Sequence, residues 1–173
     1  SYYRGREVAH KVAEILGYGC ISRDSLLEES EEFSIPEIKL MGNIQHATQI
    51  LERFSFGRQR YINFMSAAVL ARLQQDSHVY HGIAGQAFFS GISHLLKVRV
   101  IADFDERVVA EAGRRNISLD KARLQLKHDD EERQKWALFL HGIDIVEPDQ
   151  YDMVINVSTM GVEHGAELIA RAA

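Results

Sequence analysis

Lys127-His128-Asp129-Asp130-Glu131-Glu132-Arg133, then Trp136, His141-Gly142-Ile143-Asp144 and Tyr151-Asp152-Met153-Val154-Ile155-Asn156, form the stretch that decides the fold. The first run reads as a charged helix start and His141 to Asp144 as a turn. Met153 to Val157 is a continuous apolar run, the pattern of a strand buried on both faces of a parallel sheet. A further helix is expected from about Val162. Upstream, Ser118 is placed to cap a helix, behind an Asn116-Ile117-Ser118 break that ends another over Asp105 to Arg115.

Moving outward, short β-branched segments at His78 to Ile83 and Lys97 to Ala102 alternate with helical patterns. A long amphipathic helix is expected from Gln59 to Gln75, with Ile62, Met65, Ala68, Val69 and Leu73 inward. Val8, Val12, Ile15 and Leu16 recur at helical spacing, and Gly17 and Gly19 end that first helix. Strands alternating with helices imply βαβ units and a three-layer α/β sandwich around a parallel sheet. With two prolines and no low-complexity tract or repeat, residues 1–173 read as a single domain.

The chain has 173 residues, 46% hydrophobic and 26% charged, as in an ordinary globular domain. Its formal charge of -5 argues against a nonspecific nucleic-acid binder, which needs a basic face. A small nucleotide needs only a local arginine cluster. One cysteine, Cys20, rules out an internal disulfide and fits a reducing cytoplasm. No apolar run reaches the roughly 20 residues that cross a bilayer, so no membrane partner is expected. Because the sequence begins at Ser1 without Met, residues ahead of it are expected, including a strand at the centre of the sheet.

Eight histidines raise the question of a metal centre. None falls in a His-Glu-x-x-His or two-His-one-carboxylate spacing, and His78 and His81 bracket a strand on opposite faces. His46, His94, His141 and His164 read as scattered surface or core residues, and Cys20 as an inert strand residue. No metal-ligating protein residues are assigned. Gly5-Arg6-Glu7 before the first helix reads, by itself, as a turn and a solvated first helical turn. For Arg23 and Asp24, a surface residue and a helix N-cap are the plain alternatives to a ligand role. Arg58 and Arg60 read as solvent-facing, with phosphate contact as the other reading.

The order of these segments, from Val98 to Ala170 and from Gly5 to Leu27, resembles the cytidylate-kinase-like family of P-loop nucleotide kinases. The resemblance implies a P-loop kinase sheet with a helical lid at about residues 114–135. Gly5-Arg6-Glu7 matches the family's variant of the phosphate loop, Arg6 standing where other P-loop kinases carry lysine and Glu7 where they carry a hydroxyl. It implies catalytic roles for Arg6, Arg114 and Arg133, and phosphate binding by Arg4, Gly5, Arg6, Glu7 and Arg115. Arg23, Asp24, Asp130 and Glu132 fall on acceptor-binding positions. ATP as donor, Mg2+, and a nucleoside monophosphate acceptor, with CMP one candidate, follow from the same resemblance; a small metabolite is the other acceptor class.

Departures from the family pattern are Tyr2, Tyr3 and Arg4 in the phosphate loop, Ala110 and Glu131 at common arginine positions, and Ile83 in place of the arginine of a Val-Gly-Arg-Gly motif. They leave a catalytically degenerate nucleotide-binding regulatory module as the alternative function. A homo-oligomer, and an interaction domain of a longer chain, are also left open.

Overall fold

The computed structural model describes residues 4–29, 57–74, 77–89 and 91–173. The stretch from Phe33 to Phe56, and His46 within it, lie outside the described residues, as do Tyr2 and Tyr3. Helix α1 (Gly5–Leu16) leads into strand β1 (Gly19–Ser22) and helix α2 (Arg23–Glu29). Helix α3 (Gly57–Leu73), strand β2 (His78–His81) and the short helix α4 (Gly85–Phe88) follow. Strand β3 (Val98–Ile101), helices α5 (Phe104–Arg115) and α6 (Leu119–His141), strand β4 (Met153–Asn156), and helices α7 (Val157–Met160) and α8 (Val162–Ala172) complete the order. A 3-10 turn at Pro148–Gln150 precedes β4.

The strands make two parallel pairs, β1 with β2 and β3 with β4, an α/β arrangement with helices packed on its strands. The expected single sheet is not what the described residues form: β2 and β3 each pair with one partner and not with each other. Both line one cleft of about 1470 Å³. A sheet running through all four strands would need a further strand in that space.

Three apolar clusters hold the elements. Val8 and Val12 of α1 meet Val162, Ala166 and Ile169 of α8 over Ile155 and Val157. Tyr61, Met65 and Val69 of α3 meet Trp136, Ala137 and Leu140 of α6, with the Tyr61 and Trp136 rings edge to face at 5.6 Å. Each of these two rings buries about 200 Å², on the order of 4 to 5 kcal/mol at the usual area coefficient. The third cluster, Val108 and Ala112 against Ala122 and Leu126, closes α5 and α6 into a hairpin.

Local signals explain most boundaries. Gly17, at φ 69°, ends α1 with its N–H on the carbonyls of Ala13 and Glu14. Asn116 takes the left-handed conformation at the end of α5, and the Ser118 hydroxyl accepts from the Lys121 N–H to start α6.

Two expectations are corrected. The charged run Lys127 to Arg133 is not a helix start; α6 begins at Leu119, two turns earlier, because nothing between Ser118 and Gly142 interrupts helical geometry. Strand β4 is buried on one face only, with Ile155 2% and Val154 42% exposed, since α1 and α8 cover just the Ile155 side.

Candidate functional site

The cleft between the strand pairs, at about 1470 Å³, is larger than a small-molecule pocket and includes the gap that a sheet through all four strands would cross. One wall is α1, through Gly5 and Val8; another is formed by Arg107, Asp130 and Arg133 from the α5–α6 hairpin. Toward its far end, Tyr151 donates to the Ile145 carbonyl at 2.9 Å and accepts from Gln86 at 3.0 Å. Burial pushes the Tyr151 hydroxyl above its ordinary pKa, so it stays a donor. Arg99 lies over the Tyr151 ring at 5.9 Å and donates to the Val146 carbonyl.

At the start of α1, Arg4 occupies the N-cap in the left-handed region, φ 54°, and its side chain makes no capping hydrogen bond. A Cβ placed on Gly5 would meet nothing within 4 Å. Arg6 is exposed and its Nε donates to Nε2 of His10 at 3.3 Å. Glu7 is exposed, 3.9 Å from Arg4. The helix dipole and unsatisfied N–H groups favour an anion here.

The hairpin carries a different arrangement. Arg107 grips Asp130 with both terminal nitrogens, at 2.8 and 2.7 Å, and Arg133 donates to the same carboxylate at 2.8 Å. The two guanidinium side chains are 16% and 18% exposed, and burial draws the Arg133 pKa down. Two largely buried cations thus converge on one carboxylate at the cleft wall, with the acidic Glu131 beside them.

Beyond it, Glu111 is 3% exposed and accepts from Arg114 at 2.8 and 3.0 Å and pairs with Arg115. Arg114 holds the Glu111 carboxyl below the usual glutamate range. Glu132 pairs with Lys135 at 3.1 Å.

At the start of α2, Arg23 is 5% exposed; it donates to the Tyr61 hydroxyl at 3.2 Å and lies 3.5 Å from Asp24. The plain reading of Arg23 as a surface residue does not hold. Nor is Asp24 the cap of α2: Ser22 and Ser25 exchange N–H to hydroxyl bonds at 3.1 and 3.0 Å in a reciprocal box. Arg58 is a cap too, donating to the Leu140 carbonyl at 3.1 and 2.8 Å near the end of α6.

Of the residues singled out from sequence, Gly5, Asp130 and Arg133 line the cleft together. Arg4, Arg6, Glu7, Arg23, Asp24, Arg114, Arg115 and Glu132 are not in its lining. Arg107 was missed, since its partner Asp130 lies 23 residues away and leaves no local signal. A second polar group, His10, Cys20 and His81, also escaped the sequence reading.

A crystal structure of an uncharacterized protein from Eubacterium ventriosum superposes with a TM-score of 0.71, covering 98% of this chain and 90% of that one. At 15% identity the likeness speaks for a shared fold. Among curated proteins no match is found. The sequence profile of the cytidylate kinase-like family matches residues 2–159. This chain belongs to the cytidylate kinase-like family.

Proposed function

We propose that the chain is a nucleotide kinase that transfers the γ-phosphoryl group of ATP to a nucleoside monophosphate, with CMP the first acceptor to test. The observation that carries the reading is the Arg107–Asp130–Arg133 group, facing the same cleft as the start of α1. Membership of a cytidylate kinase-like family supports nucleotide chemistry in that cleft. In phosphoryl transfer the protein supplies position and positive charge rather than covalent chemistry.

The N–H groups at Gly5 to Glu7 and the Arg6 side chain would hold donor phosphates. Arg133, positioned by Asp130, would meet the charge that spreads over the transferring group. Arg114 and Arg115 take part only by exchanging Glu111 for phosphate oxygens, as lid residues do on closure. Arg23 and Asp24 would position the acceptor from behind the cleft wall, and Glu132 from the hairpin. Magnesium would bridge donor phosphates and offset their charge. Both Asp130 oxygens already accept from guanidinium groups, so the metal would be held chiefly by phosphate and water. The same reading takes the two strand pairs as flanks of one three-layer sandwich, and places the protein in the cytoplasm.

A catalytically degenerate nucleotide-binding module is the second reading. Arg6 is engaged by His10, and Ile83, 8% exposed, packs in the core where the family motif carries arginine. A coupled ATP-consumption assay over a panel of monophosphates separates the two. Turnover with one acceptor, lost in Arg133→Ala and Arg6→Ala, supports the kinase. Nucleotide binding without turnover supports the module, and no thermal shift at millimolar nucleotide contradicts both.

A further inference from the structure

Cys20 sits where α1, β1 and β2 meet. The parallel register sets Cys20 opposite Val79 and Ser22 opposite His81, so Cys20 and His81 project from the same face of the pair. Helix α1 lies on that face, its Val8 and Val12 packing near Val79, and contributes His10 from its second turn. One ligand atom from each of His10, Cys20 and His81 falls within 4.8 Å of the other two. The two imidazole centroids are 5.7 Å apart, with the rings tilted by 59°.

We propose that His10, Cys20 and His81 bind a borderline transition-metal cation, zinc foremost, as a thiolate and two imidazoles with one coordination position left for an outside ligand. The donor set decides the class of metal. Nitrogen and sulfur suit zinc and its neighbours, whereas magnesium takes oxygen, so this site is not the one that serves a nucleotide.

Bond lengths of about 2.0 to 2.3 Å in a tetrahedral site put ligand atoms roughly 3.3 to 3.8 Å apart. Coordination would draw the three ligand atoms, now within 4.8 Å of one another, closer by about an ångström. On coordination the Cys20 thiol loses its proton to solvent and a sulfur–metal bond forms; no oxidant or reductant is involved.

The surroundings are mixed. Burial, His10 and Arg6 hold the His81 pKa below its ordinary value, keeping the ring in the neutral form that ligates. Burial raises the Cys20 thiol, so a cation must displace that proton itself. Arg6 opposes a cation here, and Asp24 offsets it. Because Arg6 donates to Nε2 of His10, a metal taken through that nitrogen would release Arg6 toward the start of α1.

Cys20 is the chain's one cysteine, so its reactivity reports the site without ambiguity. The purified protein is treated with a thiol reagent with and without one equivalent of zinc, then titrated with cobalt as a spectroscopic stand-in. Zinc should slow Cys20 modification about tenfold or more, and cobalt should give a thiolate charge-transfer band. Cys20→Ser should abolish the band, and His10→Ala and His81→Ala should each weaken zinc at least about tenfold. His10 is exposed, so its variant keeps the test valid even where His81→Ala fails to fold. Unchanged thiol reactivity with zinc overturns the proposal, as does equal zinc affinity in Cys20→Ser or His10→Ala. Kinase turnover plays no part in these readouts, so the proposed phosphoryl transfer can fail while this site stands.

Discussion

The hairpin end and the helix-start end of the molecule both concentrate arginine, and they treat it in opposite ways. In the hairpin, Arg107, Arg133, Arg114 and Arg115 all pair with carboxylates, two on Asp130 and two on Glu111. At the helix start, Arg6 donates one hydrogen bond to the His10 ring. An anion arriving at the hairpin must compete with acids that belong to the fold, whereas at α1 it replaces one weak hydrogen bond. Under the proposed function the hairpin arginines would serve stability and binding together, and Arg6 would serve binding almost alone.

Changes that remove only one of these roles sharpen the contrast. The largest effect belongs to Arg133→Ala: kcat/KM should fall about 100- to 1000-fold, roughly 3 to 4 kcal/mol of transition-state stabilisation, in the coupled assay. Equal turnover would place the working charge elsewhere. Next comes Glu111→Ala, which removes a buried acid and should cost about 1 to 2 kcal/mol in urea unfolding. The figure is held down because Arg114 and Arg115 are 62% and 41% exposed and water screens them.

Acid should show the same division. Burial lowers the pKa of His81 and His141, so the folded state resists their protonation and stability falls as pH drops below 6.5. Glu111 is depressed below 4.5; its contribution is present above that value and is lost as pH falls through its folded pKa. The urea midpoint should therefore drop in two stages, and Glu111→Gln should remove only the more acidic one. The smallest effect is expected from Arg6→Ala, within about 0.5 kcal/mol of wild type by thermal unfolding, since the side chain is exposed. A larger loss would mean that Arg6 holds α1 in place, and the contrast would fail.

Local chemistry was legible in the sequence and long-range partnership was not. Gly17, the Asn116 break and the Ser118 cap could be read directly, because each signal lies within four residues of its effect. Periodicity gave Met65 and Val69 as inward-facing, and it left Tyr61, on the same face one turn earlier, unclaimed. Arg58 on a carbonyl of α6, 82 residues away, carries no mark in its neighbours. The same holds for the Arg107–Asp130 pair and for His10, Cys20 and His81, which converge from three elements. Lys127 to Arg133 misled because a charged run resembles a helix terminus, while here it is the partly buried, ion-paired middle of α6.

Backbone hydrogen exchange in the presence and absence of magnesium-ATP tests most directly whether the two ends act as one site. The account predicts slowed exchange at residues 5–8 and at 130–133 together, with both effects lost in Arg133→Ala. Protection at one segment without the other, or at neither, would contradict it.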